Sequence, residues 1–196
     1  MNLPNKITLI RVAVIPAFMF FAVPLPVWMH LSNEFLVNYG NYIAAVIFVI
    51  AASTDAVDGY IARKRQLVTN LGKFIDPIAD KLLVTAALLA LVQRSEVSAW
   101  VAIIIIGREL IVTGLRLVAA GEGIVISASK LGKLKTATQI IAITATLIKN
   151  FPLNQITDFR FDDYLMILAV IVTIISGIDY ITKNINVIRQ DEGVRH

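Results

Sequence analysis

Four aspartates, Asp55, Asp58, Asp76 and Asp80, stand in otherwise apolar sequence. A bare carboxylate in an apolar interior costs several kcal/mol unless a cation or hydrogen bonds offset that cost. The first two are three positions apart and the last two are four apart, and both spacings put a pair on one face of a helix. Four neighbouring carboxylates repel one another unless cations bind them. The pattern therefore predicts a metal site that does chemistry.

Carboxylate oxygens are hard ligands, which favour Mg²⁺, Mn²⁺ or Ca²⁺. Two such ions side by side stabilise both the attacking and the leaving oxygen of a phosphoryl transfer. The alternative is that the aspartates form structural salt bridges with the basic side chains of Arg63, Lys64, Lys73 and Lys81. Asp55 lies about 12 Å along a helix from Arg63, which is too deep for a surface pair. We therefore expect two divalent cations, Mg²⁺ or Mn²⁺.

The elements that must position these aspartates are predicted to be membrane helices. The chain has 196 residues, of which 57% are hydrophobic and 16% charged, and its mean hydropathy is +0.75. A helix of ~20 apolar residues crosses the hydrocarbon core and satisfies its own backbone hydrogen bonds. The sequence predicts one all-α integral membrane domain over residues 1–196. Its six transmembrane helices are expected at about 7–29, 36–62, 71–93, 97–119, 131–149 and 163–188.

The distribution of basic residues predicts the orientation of these spans. Of the 18 Lys and Arg residues, all but Arg94, Lys149 and Arg160 fall in the terminal segments, the region 63–81 or the region 108–135. Basic residues concentrate on the cytoplasmic side of membrane proteins. Both termini and the aspartates are therefore predicted to face the cytoplasm, where the basic surface attracts lipid headgroups and phosphates.

The aspartates belong to a longer pattern, D-x-x-D-G-x-x-A-R, followed after eight residues by G-x-x-x-D-x-x-x-D. This pattern resembles the signature of the CDP-alcohol phosphotransferases. The positions that carry it are Asp55, Asp58, Gly59, Ala62, Arg63, Gly72, Asp76 and Asp80. The six-helix plan of that family agrees with the number of predicted spans, so the resemblance covers nearly the whole chain.

The resemblance implies an enzyme that moves a phosphatidyl-type group from a CDP-linked donor to an alcohol and releases CMP. It implies that the four aspartates bind two divalent ions and that Asp80 is also the general base on the acceptor hydroxyl. The residues it implies for nucleotide or CDP-lipid binding are Gly59, Ala62, Arg63, Gly72, Asn5 and Thr8. For Asn5 and Thr8, a simple anchor at the membrane interface is the alternative.

The segments LPNKITLIR, FIDPIADKLL, GREL and LGKLKTATQ resemble the phosphatidylglycerophosphate synthases of that family. The resemblance implies that CDP-diacylglycerol and sn-glycerol 3-phosphate react to give phosphatidylglycerophosphate and CMP, a step of phospholipid biosynthesis. The same chemistry with inositol phosphate, serine or phosphatidylglycerol as acceptor is the alternative. The resemblance also implies a homodimer in a bacterial inner membrane, with no nucleic-acid partner.

Basic residues independently favour a phosphorylated acceptor. Arg108 lies near the middle of the fourth predicted span, where a cation is costly. Lys133, Lys135 and Arg116 lie near the cytoplasmic ends of the fourth and fifth spans. We expect these four residues to bind the acceptor phosphate. The alternatives are cytoplasmic topology for the lysines and, for Arg108, an internal ion pair with Glu109 or another carboxylate. Glu109 is a poor direct partner, because adjacent helix positions face each other poorly.

Two functions of other classes also fit carboxylates in a membrane. A divalent-cation transporter predicts ion flux without release of CMP, and it leaves Arg63 and Arg108 without a role, because cations there repel the cargo. A non-catalytic lipid-binding scaffold survives the replacement of Asp80 by Asn. The enzyme loses turnover in that variant.

Overall fold

A computed structural model of the chain describes residues 3–23, 34–65, 70–121, 124, 126, 129–152, 155–157 and 159–184. Within those ranges, the side chains of residues 3–9, 11, 37 and 55–80 stay outside the description. The described residues form α-helices in the order α1 (Leu3–Ala22), α2 (Glu34–Arg65), α3 (Asn70–Gln93), α4 (Ala99–Gly121), α5 (Lys130–Leu147) and α6 (Phe161–Lys183).

The helices pack as two connected groups. α1, α2 and α3 contact one another, α6 packs along α5 and α4, and contacts of α2 and α3 with α4 and α5 join the groups. The core between them is apolar, with Phe18, Phe48, Leu88, Ile105 and Ile143 fully buried. Burial of these large side chains is what fixes the helices against one another.

Small residues bring the first helices close together. Ala44, Ala45 and Ala87 are buried at the helix contacts, and a side-chain carbon built at Gly40 would lie 2.9 Å from the Phe21 backbone oxygen. Small residues at helix contacts allow the close backbone approach that is typical of membrane bundles.

Large apolar side chains cover the outside of the bundle. Exposed examples on α4 and α6 are Ile103, Leu110, Ile171 and Ile178. Among the described residues, α6 alone is long and apolar enough by itself to cross a membrane. The segments Val12–Ala22, Asn38–Thr54 and Lys81–Gln93 are shorter apolar helices. An all-α architecture is thus confirmed, whereas the number of six membrane crossings stays a prediction.

The helices overlap the six predicted spans but differ from them at their ends. α1 starts at Leu3, so the segment expected to precede the first span is already helical, and α1 continues through Pro16. α6 runs from Phe161 to Lys183, earlier at both ends than the predicted 163–188. The predicted ends at 29 and 188 lie outside the described residues.

Candidate functional site

For the predicted metal and nucleotide residues, the structure gives only the helix to which each residue belongs. Asp55, Asp58, Gly59, Ala62 and Arg63 belong to the last part of α2, and Gly72, Asp76 and Asp80 to the first part of α3. Asn5 and Thr8 belong to α1. The side chains of all ten residues lie outside the description. Within the described part of the chain, no group of three or more His, Cys, Asp or Glu residues is arranged to hold a metal ion.

The predicted acceptor-phosphate residues are described, and two of them come together. Arg108 on α4 and Lys135 on α5 both contact the carboxylate oxygen Oε1 of Glu109, Arg108 through Nη1 at 3.4 Å and Lys135 through a shorter ion pair. Only 11% of the Arg108 side chain and 6% of the Lys135 side chain are exposed. Two cations far apart in sequence therefore share one carboxylate in a buried position.

Glu109 is a closer partner of Lys135 than of Arg108. The sequence argument that adjacent helix positions face each other poorly agrees with the long Arg108 contact, although that contact does exist. Lys135 has at least one further interaction beyond this ion pair. Glu109 therefore links α4 to α5 through Lys135. Its contact with Arg108 is longer than the contact that Arg108 makes to helix α6.

The main partner of Arg108 is a hydroxyl group on α6. The Nη2 group of Arg108 donates a hydrogen bond of 2.7 Å to Oγ of Ser176, which is fully buried. Nε of Arg108 is buried and has no hydrogen-bond partner among the described residues. A buried guanidinium group with an unused N–H carries donors for an anionic ligand, because planar guanidinium groups bind phosphate through pairs of N–H groups.

Arg116 lies two turns beyond Arg108 on α4 and also contacts α6. Its Nε donates a hydrogen bond of 2.9 Å to the hydroxyl of Tyr180, and its guanidinium carbon is 5.3 Å from the centre of the Tyr180 ring. Such a position over an aromatic ring attracts a cation. We call Arg108, Glu109, Arg116, Lys135, Ser176 and Tyr180 the α4–α6 cluster.

Lys133, the fourth predicted phosphate residue, is exposed, whereas Lys135 is buried. Residues two positions apart on a helix do not face the same way. The structure therefore does not bring Lys133 to Glu109 and Arg108 together with Lys135. α5 itself begins where the Ser129 hydroxyl accepts a 3.0 Å hydrogen bond from the Gly132 backbone N–H, a typical helix N-cap.

A second polar group lies at the other end of the described bundle, where α3 leads into α4 and α5 leads towards α6. Arg94 donates to Oδ1 of Asn41 at 2.5 Å, to Oε1 of Glu96 at 2.6 Å and to the Ala22 carbonyl oxygen at 3.4 Å. One guanidinium group thereby joins α1, α2 and the α3–α4 turn. We call this second polar group the loop cluster, and its members are Asn41, Arg94, Glu96, Lys149, Asn150, Arg160, Asp162 and Asp163.

The rest of the loop cluster is paired in the same way. Asn150 donates to Oδ1 of Asp162 at 2.5 Å, and its Oδ1 accepts from the Asp162 backbone N–H at 2.9 Å. Arg160 contacts Asp162 at 3.4 Å and Asp163 at 2.9 Å. The hydrogen bond and the charge of Asp162, followed by the charge of Asp163, raise the pKa of Arg160.

Sequence reasoning missed the α6 residues Ser176 and Tyr180. A signal for them exists: Thr173, Ser176 and Tyr180 are polar positions at helical spacing in an otherwise apolar helix. All three are buried and hydrogen-bonded to side chains of α4 or α5. Hydroxyl groups in membrane helices commonly form such contacts between helices.

Comparison with known proteins identifies relatives over nearly the full chain. The family model described as CDP-alcohol phosphatidyltransferase matches residues 1–175. A protein of Bacillus subtilis (strain 168), named CDP-diacylglycerol–glycerol-3-phosphate 3-phosphatidyltransferase, is 50% identical over 93% of this chain and 95% of its own length. Proteins of the same name are 36% identical in Rickettsia bellii, over 91% of this chain and 93% of the relative, and in Haemophilus influenzae, over 90% and 86%.

Proposed function

Because this chain belongs to the CDP-alcohol phosphatidyltransferase family, we propose that it transfers the phosphatidyl group of CDP-diacylglycerol to sn-glycerol 3-phosphate. The products are phosphatidylglycerophosphate and CMP. The observation that carries this assignment is 50% identity, over 93% of the chain, to a relative named for that reaction. The chain is therefore a transferase of phospholipid biosynthesis.

The α4–α6 cluster supports a phosphorylated acceptor. Arg108 is nearly buried beside the carboxylate that it shares with Lys135, and its Nε–H has no partner among the described residues. A guanidinium N–H that is shielded from water in an apolar bundle is costly to leave unpaired, and an anion that binds it offsets that cost. The acceptor phosphate supplies that anion. Arg116 and Lys133 lie nearer the cytoplasmic end and attract the phosphate as it arrives.

The donor set on α2 and α3 fits divalent metal. Asp55, Asp58, Asp76 and Asp80 offer only carboxylate oxygens, which suit Mg²⁺ or Mn²⁺. α2 and α3 are in contact and are separated by residues 66–69 alone. These four aspartates would hold two cations, which neutralise the diphosphate of the CDP-lipid and the charge that develops on the leaving CMP. Gly59, Ala62, Arg63, Gly72, Asn5 and Thr8 bind the cytidine and diphosphate side of the donor.

The reaction then needs one proton transfer and one displacement. Asp80 accepts the proton of the acceptor hydroxyl. The oxygen attacks the phosphorus that carries diacylglycerol, the new P–O bond forms, and the P–O bond to CMP breaks. Arg108 and Lys135 hold the acceptor by its phosphate, so that the hydroxyl group is presented to Asp80 and not to solvent.

The site faces the cytoplasm, where glycerol 3-phosphate and the CDP headgroup are both reached. Six membrane crossings over residues 1–196 keep both termini on that side, as expected from the lysines and arginines. The loop cluster then lies at the opposite membrane surface. The enzyme works as a homodimer in a bacterial inner membrane.

Release of CMP by the purified protein, with Mg²⁺ or Mn²⁺ and CDP-diacylglycerol, tests the assignment. We expect release to require glycerol 3-phosphate and phosphatidylglycerophosphate to form in equal amount. Release that requires serine, inositol phosphate or phosphatidylglycerol instead overturns the acceptor and leaves the family chemistry in place. In Asp80→Asn, turnover falls by about 10²- to 10⁴-fold, the usual contribution of a general base, whereas binding of CDP-lipid persists.

A further inference from the structure

Helix α6 contacts the candidate acceptor site through two hydroxyl groups, those of Ser176 and Tyr180. The fully buried Ser176 hydroxyl accepts the shortest hydrogen bond that Arg108 makes, at 2.7 Å, compared with 3.4 Å to Glu109. One turn later, the buried Tyr180 accepts from Arg116. Two arginines of α4 are thus each held by a hydroxyl group of α6, four positions apart.

The packing at this contact leaves Arg108 little freedom. A side-chain carbon built at Gly177 would lie 3.1 Å from Cγ of Arg108, so the aliphatic part of the arginine already touches the α6 backbone. The guanidinium group is fixed at one end by Ser176, while its Nε–H has no partner in the described part of the chain. One N–H group of Arg108 thus fixes the orientation of the guanidinium group, and another N–H group is left to bind an anionic ligand.

We propose that Ser176 and Tyr180 are positioning residues for the acceptor, acting through Arg108 and Arg116. The proposal rests on the proposed function, because it takes glycerol 3-phosphate as the ligand of those arginines. Neither hydroxyl group needs to touch the substrate. Each fixes one guanidinium orientation, so that less freedom is lost when the phosphate binds.

The same helix provides a matched control. Thr173 is fully buried one turn before Ser176, and its hydroxyl accepts a 2.9 Å hydrogen bond from Gln139 of α5. Thr173→Ala and Ser176→Ala each remove one buried hydroxyl group from α6. Only the second removes a partner of a candidate phosphate-binding cation.

The experiment measures CMP release by the full-length protein and determines KM separately for glycerol 3-phosphate and CDP-diacylglycerol. In Ser176→Ala we expect KM for glycerol 3-phosphate to rise about 3- to 10-fold, less than the loss of a direct hydrogen bond to the charged phosphate would cause, because Ser176 acts only through Arg108. KM for CDP-diacylglycerol stays within about 2-fold. In Tyr180→Phe we expect a smaller rise of about 2- to 4-fold, because Arg116 keeps its contact with the ring.

Two results overturn the proposal: an unchanged KM for glycerol 3-phosphate in both Ser176→Ala and Tyr180→Phe, or an equal rise in Thr173→Ala. The Ser176→Ala change is also made in the Arg108→Gln background, where it should have no further effect on KM, because Ser176 acts through Arg108. Tyr180→Phe keeps the ring and answers the question if Ser176→Ala fails to fold. If the unchanged protein releases CMP without glycerol 3-phosphate, the proposed function fails instead.

Discussion

The α4–α6 cluster and the loop cluster are both built from arginine, lysine and carboxylate, yet their arginines are partnered differently. In the loop cluster, Arg94, Lys149 and Arg160 pair with three carboxylates, and Arg94 uses its donors on three acceptors. Among the described contacts of the α4–α6 cluster, Arg108 and Lys135 share the carboxylate of Glu109, whereas the closest partners of Arg108 and of the exposed Arg116 are neutral hydroxyl groups on α6.

This difference separates a structural group from a candidate ligand site. Charges that are matched among themselves hold segments together and need nothing more, which suits the place where the α3–α4 and α5–α6 connections meet. A nearly buried guanidinium group that keeps an unused N–H among the described residues can instead bind an anionic ligand. The loop cluster does line a cavity of about 310 Å³, and Oε2 of Glu96 lacks a partner there, but its basic side chains are already paired.

The largest effect that sharpens this comparison is expected at Lys135. Lys135→Gln removes a buried cation of the α4–α6 cluster and leaves Arg108 as the one cation that contacts Glu109 among the described residues. We expect KM for glycerol 3-phosphate to rise about 10- to 100-fold, since a hydrogen bond to a charged group contributes about 1.5–3 kcal/mol. KM for CDP-diacylglycerol should change by less than about 3-fold, and a parallel rise in both constants would contradict a role specific to the acceptor.

The next effect belongs to the loop cluster and concerns stability. Asp162→Asn disrupts a buried carboxylate that Asn150 and Arg160 contact, and we expect a loss of about 1–3 kcal/mol in the free energy of unfolding. Thermal unfolding in detergent measures the change. Asp163→Asn is the matched control, because that side chain is 47% exposed and its surface ion pair contributes less than about 1 kcal/mol. The KM values of both substrates should stay unchanged in either variant. A raised KM for glycerol 3-phosphate would show that the loop cluster also affects acceptor binding.

A smaller effect is expected where α6 touches Arg108. Gly177→Ala puts a methyl group 3.1 Å from Cγ of Arg108 and should raise KM for glycerol 3-phosphate about 2- to 5-fold, because displacing a packed side chain costs about 1 kcal/mol. Gly114→Ala on α4 has nothing within 4 Å and is the control. It should leave KM unchanged and gain up to about 1 kcal/mol of stability from helix propensity. If the two variants have the same KM for glycerol 3-phosphate, the contact between α6 and the Arg108 side chain does not contribute to acceptor binding.

The smallest effect is expected at Lys133. Its side chain is exposed, so Lys133→Gln removes only a surface charge that attracts anions, and KM for glycerol 3-phosphate should rise by about 2-fold at low salt. The rise should disappear at high ionic strength, whereas the Lys135→Gln effect should remain. A salt-resistant effect at Lys133 as large as that at Lys135 would show that the exposed lysine binds the phosphate directly.

Much of the fold was predictable because long apolar segments separated by polar turns leave little choice but helices. The number of membrane crossings does not follow from composition alone. Helix α4 contains Arg108, Glu109 and Arg116, and it is therefore not apolar enough by itself to be identified as a membrane span. Family membership followed from the spacing of the aspartates and glycines. The reaction needs these residue types at this spacing, so the pattern can be found in the sequence without a structure.

The details of the acceptor site were less predictable. Arg108 and Lys135 were both expected to bind the acceptor phosphate, because a cation inside a span is costly without a partner. The structure brings the two to one carboxylate, and their role in binding stays a prediction. Lys133 was grouped with them although helical geometry separates positions two apart. Ser176 and Tyr180 were missed, since a single serine or tyrosine in an apolar helix is common and only its partner on another helix reveals its role.

The most direct test of the central claim compares Arg108 with Arg94, one arginine from each cluster, in the CMP-release assay. For Arg108→Gln the account predicts that KM for glycerol 3-phosphate rises at least about 30-fold while KM for CDP-diacylglycerol changes less than about 3-fold. For Arg94→Gln it predicts lower thermal stability and unchanged KM values for both substrates. An unchanged KM for glycerol 3-phosphate in Arg108→Gln, or an equal rise in Arg94→Gln, would contradict the claim that the α4–α6 cluster binds the acceptor phosphate.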